Sequence, residues 1–372
     1  MMKPISISYK PTHIRALDGF RGMAIVMVLL FHLFPFFKLF SFGWMGVDLF
    51  FVLSGLLITG ILIDSKDEPN YYTRYIAKRV LRIFPLYYAF LVLFFVVFPL
   101  VGLAEQIPNF SYLTEHQPWY WAYLQNWLVL FDPDFPPANF LSHFWSLAIE
   151  EQFYVFWPLV VYVTPRNKML YVALAFIIVS LLLRITLIAF DVSTVKAYVF
   201  TFSRLDGLCI GASIATMLRI PHLQEKLNHL TKPVMIVTAI LTVAVIGVGR
   251  SVSFAHPAFA TIGYTVIDLF FGACMVFALS TQPGNLIKGV AENFILVFFG
   301  KYSYGMYVYH IPVYFLVQTF LKGVTEKPLI ISLLALVATI LVAMISFHGF
   351  EKHFLKLKSM VGGHHSPAGK VL

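Results

Sequence analysis

Residues 44–63 read WMGVDLFFVLSGLLITGILI, twenty residues whose single charge is Asp48. About 20 mostly apolar residues in helical form span the hydrocarbon core of a bilayer. The stretch therefore predicts a membrane helix, and it predicts that Asp48 has a partner, because a lone carboxylate at that depth is costly. The same reading applies at 21–40, 81–103, 143–163, 169–190, 198–218, 233–249, 259–281, 299–320 and 329–347. The expected fold is thus all-α and polytopic, with about ten transmembrane helices. An outer-membrane barrel is not expected, since its strands alternate apolar and polar residues over short segments. An eleventh apolar stretch, Trp119 to Phe131, is too short to span comfortably.

Composition agrees. Of 372 residues, 59% are hydrophobic and 12% charged, with mean hydropathy +0.80. Soluble domains carry about 25% charged residues, so this chain lacks the polar surface of a water-soluble globule. The net charge of +9 does not point to nucleic acid, because no nucleic-acid-binding motif accompanies it. It fits basic cytoplasmic loops. With the N-terminus inside and 119–131 not crossing, most of the 27 Lys and Arg fall on the cytoplasmic side, including Arg74 to Arg82, the 219–232 loop and the tail. A crossing at 119–131 would move that loop and the tail outside. Both termini are therefore expected in the cytoplasm. The first 21 residues are polar, and no cleavage site follows the first apolar run, so that run reads as a retained span rather than a signal peptide. Cys209 and Cys274 lie in apolar runs and suggest neither a disulfide framework nor a metal site. Residues 1–350 read as one membrane domain and 351–372 as a short, basic, flexible cytoplasmic tail.

The outer segment 104–142 lacks Lys and Arg and carries Trp119, Trp121, Trp127, Asp132, Asp134, Pro136 and Pro137. It reads either as an interfacial or re-entrant helix or as a lid and acceptor platform.

Polar residues inside the apolar runs are the functional candidates. Arg21 and His32 are eleven residues apart, about three turns, so they share a helix face roughly 16 Å apart. That spacing puts Arg21 near the cytoplasmic boundary and His32 near mid-membrane. Asp48 shares a stripe with Gly55 and either orients an imidazole or balances an arginine. Arg79 and Arg82, at i, i+3, either anchor the boundary or hold phosphates through forked hydrogen bonds. The fourth run opens His143-Phe144-Trp145-Ser146 and carries Glu150, Glu151 and Tyr154; Glu150 and Tyr154 share a face. Arg204 and Asp206 read as an internally neutralised pair. Ser303, Tyr307 and His310 form a polar stripe at i, i+4, i+7 that lines a cavity or closes a helix interface.

These segments together resemble acyltransferase family 3. The resemblance rests on Arg21 with ten residues before His32, GVDLFFVLSG from Gly46, RVLR from Arg79, WSLAIEEQFY from Trp145, SRLDGLCIG from Ser203 and KYSYGMYVYH from Lys301, and it covers about residues 12–350. It implies transfer of an acyl group, usually acetyl, from cytoplasmic acyl-coenzyme A to a hydroxyl of a saccharide or glycolipid. Lipopolysaccharide O-antigen, exopolysaccharide and peptidoglycan precursors are among the possible acceptors, and a bacterial cytoplasmic (inner) membrane is the implied location. By the same resemblance His32 is the key catalytic residue, and Arg21, Arg79, Arg82, Glu150 and Tyr154 fall on its motif positions. On the chemistry of the residues, Asp48 is expected to assist His32 beside Glu150 and Tyr154, and Arg21, Arg79 and Arg82 to hold the coenzyme's phosphates. Ser303, Tyr307, His310, Arg204 and Asp206 would complete the cavity. A thioester is already activated, so acetyl-CoA is the expected co-substrate and no metal is called for. His32 would act as base or as acyl-carrying nucleophile, with Glu150 or Asp48 orienting its ring. Some members carry a second, extracytoplasmic hydrolase-like domain, which this chain is expected to lack; a separate extracytoplasmic transferase partner is then possible. The alternative class is a transporter or flippase of a lipid-linked sugar, which ten spans with buried charge would also suit.

Overall fold

The computed structural model describes residues 14–132, 140–282 and 284–361. The chain is 83% helical, and no strand occurs among the described residues. The long helices, in chain order, are α1 (Arg15–Leu33), α2 (Met45–Asp64), α3 (Tyr71–Val92), α4 (Trp145–Val163), α5 (Met169–Ala189), α6 (Leu205–Met217), α7 (Pro221–Gly249), α8 (Tyr264–Ser280), α9 (Phe294–Phe320) and α10 (Pro328–Ser346), followed by a terminal α11 (Lys352–Met360). Seven helical stretches, containing α1, α2, α3, α5, α7, α8 and α10, are long and apolar enough to cross a membrane. The protein is an integral membrane protein. The other three apolar segments also form helices, each with a feature that weakens its apolar signal. Helix α4 carries Glu150 and Glu151, α6 has only 13 residues, and α9 carries Lys301 and four tyrosines between 302 and 309.

The boundaries differ from the sequence reading in three places. Helix α1 stops at Leu33 rather than running to 40, because Pro35 disfavours helical backbone at Phe34, which adopts φ −123°, ψ 52°. His32 therefore lies in the last turn of α1, not at its middle. Helix α3 begins at Tyr71, so Arg79 and Arg82 sit within a helix rather than in the loop before it. The expected flexible tail is helical as far as Met360 and packs on α3. Phe354, Leu355 and Lys358, three, four and seven residues after the buried Glu351, share the half-buried face.

The outer segment does not form one crossing helix. Residues Gln117–Trp121 and Gln125–Phe131 are short helices broken at Tyr123, whose φ is +54°. They are tied to the bundle through their backbone. Tyr87 and Tyr88 of α3 donate to the carbonyls of Tyr120 (2.8 Å) and Trp121 (3.1 Å), and Gln152 of α4 donates to Tyr123 (2.8 Å). Asp134, Pro136 and Pro137 lie outside the described residues.

Two helix pairs form the centre. Along α1 and α9, Gly22 lies against the Leu296–Gly300 backbone and Gly300 against the Asp18 carbonyl; ten residues further along both helices, His32 meets His310. The contacts advance in the same direction on both helices, so α1 and α9 run parallel. Helices α2 and α6 are parallel by the same test. Asp48 pairs with Arg204 at one end, Gly55 and Gly211 press on each other's helix backbone midway, and Asp64 pairs with Arg219 at the other end. A Cβ on Gly55 would overlap the Leu208 carbonyl, and one on Gly211 the Val52 carbonyl. Small residues permit this approach. Overpacking a close contact costs about 1–3 kcal/mol, so Gly55→Val should lower the thermal unfolding midpoint of the purified protein. An unchanged midpoint would show that the two backbones are not in contact there.

Candidate active site

Helices α1, α2, α3, α4, α9 and α11 enclose a cavity of about 260 Å³. One end is cationic. Arg21, Arg79, Arg82 and Lys358 line it, with Arg82 exposed and the others half-buried. Arg21 is paired with Asp18 at 2.6 Å, one turn earlier on α1. Arg79, Arg82 and Lys358 have no carboxylate partner among the described residues. The Arg79 guanidinium lies over the rings of Tyr75 (5.6 Å) and Tyr154 (5.7 Å), a cation–π arrangement that holds it without neutralising it. Guanidinium and ammonium groups gathered around one opening make its potential positive.

The deeper part is polar but uncharged apart from two acids. Ser54 of α2 donates to Glu150 Oε1 at 2.6 Å and lies 2.9 Å from the Tyr154 hydroxyl. The one-turn spacing of Glu150 and Tyr154 thus converges on one serine. Glu151 also lines the cavity, and among the described residues its Oε1 has no hydrogen-bond partner. At the far wall Ser146 and Tyr307 are joined at 2.5 Å, and Tyr307 donates to the His143 carbonyl at 2.9 Å. Ser303 lines the cavity and donates to the Gly300 carbonyl at 3.0 Å.

His32 and His310 do not line this cavity. They lie behind Tyr307, whose ring is 5.5 Å from that of His143 and 5.6 Å from that of His310. Three histidines gather there: His32 Nδ1 is 3.2 Å from His310 Nε2, and the rings of His143 and His310 are 4.7 Å apart. They come from α1, α9 and the turn before α4. Among the described residues no group of His, Cys, Asp and Glu is arranged to hold a metal ion. Neither Glu150 nor Asp48 is hydrogen-bonded to His32; its Nδ1 faces the Val28 carbonyl at 3.1 Å and His310.

The expected internal pair of Arg204 and Asp206 does not form. Residues two apart on a helix do not face each other. Arg204 instead pairs with Asp48 of α2, and Asp206 takes Arg184 of α5 at 2.7 Å. All four side chains are fully buried, and none lines the cavity. Arg184 also donates to the Thr261 carbonyl (2.8 Å) and to Thr265 (2.5 Å). Arg204 is covered by the rings of Tyr264 (4.4 Å) and Tyr198 (5.1 Å). Of the two roles open to Asp48, the geometry is that of balancing an arginine.

Several residues of this site were not singled out from the sequence. His143 precedes Glu150 by seven residues, a same-face spacing that was legible. Ser54 and Ser146 sit within quoted motifs but carry no charge to draw attention. Lys358 lay in the supposed tail.

Comparison with known proteins places this geometry. The profile of the family described as an acyltransferase domain, acyltransferase family 3, matches residues 14–348. The chain belongs to that family. Among the relatives of this acyltransferase-family chain is the O-acetyltransferase OatA of Staphylococcus aureus, 27% identical over 363 residues, covering 94% of this chain and 58% of the relative. The peptidoglycan O-acetyltransferase OatA of Listeria monocytogenes is 26% identical over 360 residues, covering 92% and 56%. The putative O-acetyltransferase SACOL0978 of S. aureus is 26% identical over 369 residues, covering 93% and 58%. The chain thus spans somewhat over half the length of these relatives. No solved structure matches it.

The exchanged ion pairs are testable. Removing one partner of a buried pair costs about 3–5 kcal/mol because it strands the other charge. Arg184→Met should therefore destabilise the protein strongly, and adding Asp206→Asn should recover part of the loss. If Asp206→Asn worsens the Arg184→Met protein, Asp206 is paired elsewhere.

Proposed function

We propose that this protein transfers an acyl group, most simply acetyl, from acyl-coenzyme A at the cationic end of the cavity to a hydroxyl of a saccharide or glycolipid on the opposite side of the membrane. The observation that carries the proposal is the cavity itself, with Arg79, Arg82 and Lys358, which form no ion pair among the described residues, at one end and Tyr307, in contact with the histidine cluster, at the other. Coenzyme A is a polyanion with a long uncharged arm. Its phosphates suit the guanidinium forks, and the arm carries the thioester toward Glu150, Ser303 and Tyr307.

In this reading ten helices cross, α4, α6 and α9 included, with both termini cytoplasmic. The parallel run of α1 and α9 supports this topology, because seven helices between them return the chain to its starting side. The cationic end then faces the cytoplasm, and His32, in the last turn of α1, lies toward the outer side. A bacterial cytoplasmic membrane meets these requirements.

The chemistry needs one bare imidazole nitrogen. Acting as base, His32 takes the acceptor hydroxyl proton while the oxygen attacks the thioester carbonyl. A C–O bond forms, the C–S bond breaks, and the proton passes to the departing thiolate. Acting as nucleophile, the same nitrogen attacks the thioester carbonyl, so that a C–N bond forms as the C–S bond breaks and the thiolate leaves. The acceptor oxygen then forms the C–O bond as the C–N bond breaks, and the hydroxyl proton ends on the thiolate. The name of the Listeria relative makes a cell-wall saccharide the first acceptor to try; a separate extracytoplasmic transferase is the other recipient consistent with this layout.

Labelled acetyl-CoA with purified protein in vesicles tests the reading, with thioester cleavage as the readout. His32→Ala should abolish acyl transfer while insertion and expression stay intact; near-normal turnover would remove His32 from the mechanism. Charge-assisted hydrogen bonds contribute about 1.5–3 kcal/mol each. Arg79→Gln with Arg82→Gln should therefore raise the Kd for acetyl-CoA by at least about 100-fold, and Lys358→Gln by about tenfold. Unchanged affinity would reduce these residues to membrane anchors.

A further inference from the structure

The orientation of the His32 ring can be worked out from its neighbours, and it does not depend on a carboxylate. His310 is fully buried, and its Nδ1 lies 2.7 Å from the Tyr307 carbonyl oxygen. A carbonyl only accepts, so Nδ1 carries the hydrogen. In a neutral imidazole Nε2 is then bare and can only accept. That bare nitrogen lies 3.2 Å from His32 Nδ1, which is also 3.1 Å from the Val28 carbonyl. Both neighbours of His32 Nδ1 are acceptors, so Nδ1 is the donor. The remaining ring nitrogen, Nε2, keeps its lone pair.

The Val28 carbonyl could not do this alone with the same effect. It sits four residues before His32 on α1 and already receives a helical backbone hydrogen bond. His310 supplies an acceptor, Nε2, that takes no other hydrogen bond among the described residues. Its own ring is held by the Tyr307 carbonyl on one edge and packed against His143, whose rings are 4.7 Å apart. His143 Nε2 faces the Val308 carbonyl at 3.3 Å, so His143 is anchored to the same helix backbone it packs against.

We propose that His310 is a positioning residue: as a neutral hydrogen-bond acceptor from α9 it holds His32 in the tautomer whose Nε2 is free to take a proton or an acyl group. It occupies the place expected for Glu150 or Asp48. When His32 gains charge, the Nδ1–H···Nε2 hydrogen bond to His310 becomes charge-assisted and stronger. The inference rests on the acyl-transfer reading above.

The test compares full-length wild type with His310→Leu, His310→Gln and His310→Asn, reading thioester cleavage with an acceptor and, separately, acetyl-CoA binding. Glutamine places an amide oxygen near the position of Nε2 and can accept from His32. Asparagine is polar but its amide reaches only as far as Nδ1. A correctly held general base contributes about 10²–10⁴-fold, so kcat should fall at least about 100-fold in the Leu and Asn proteins. KM and Kd for acetyl-CoA should stay within about twofold, and Gln should recover at least about tenfold over Asn. Turnover in His310→Leu or His310→Asn within about threefold of wild type would overturn the proposal. So would equal losses in folded Gln and Asn proteins. A wild type that cleaves no acyl-CoA with any acceptor overturns the acyl-transfer reading instead, and this inference with it.

Discussion

Charge placed in hydrocarbon is costly unless it meets its opposite, and in this protein two buried ion pairs organise one half of the bundle. Asp48 with Arg204, and Asp206 with Arg184, tie α2, α5 and α6 together at full burial, and Thr265 joins α8 to the second pair. Each pair joins two different helices, so each acts as an address as well as a neutralisation: a helix in the wrong place would strand a charge. Asp64 with Arg219 closes the other end of the α2–α6 pair. The cavity departs from this rule. Among the described residues its Arg79, Arg82 and Lys358 form no ion pair, beside a frame in which the buried Arg184 and Arg204 are paired. That contrast separates cations that build the fold from cations available to a ligand.

The site has two compartments that meet at one side chain. Tyr307 lines the cavity, bonds Ser146 and the His143 carbonyl, and through its own carbonyl anchors His310. A ligand arm reaching the end of the cavity therefore arrives at the residue whose backbone helps set the histidine cluster. The polar groups between the two ends belong to α2, α4 and α9, and their hydrogen bonds converge on Ser54, Ser146 and Tyr307 rather than on a solvated surface.

Much of this was legible in the chain. Runs such as 44–63 and 169–190 specify helices by length and apolarity alone. Same-face spacings put Glu150 with Tyr154, and Ser303 with Tyr307, on the wall of one cavity, because helical geometry is local, whereas His310 of the same stripe lies outside it. What local reasoning could not supply was choice of partner. Arg204 and Asp206 are neighbours in sequence but face different helices, and Arg184, the partner that Asp206 takes, stood in an apolar run with nothing nearby to pair with. The meeting of His32 and His310 joins residues 278 apart, and no periodicity connects them. Lys358 escaped because a short basic segment after the last long apolar run looks like solvent-facing chain until α3 is there to receive it.

The spacing between Gly22 and His32 is the same as that between Gly300 and His310, ten residues on each of two parallel helices. Ten residues of helix measure about 15 Å. The glycine contact works as a dowel: with backbone pressed on backbone, neither helix can slide along the other without a collision. A slip of one turn would displace the two rings by about 5.4 Å, well beyond hydrogen-bond reach. The accuracy with which the two imidazoles meet is thus inherited from a backbone contact about 15 Å away along both helices, beside Arg21 at the cationic end, that touches neither of them. Residues with no side chain at all are part of what sets catalytic alignment.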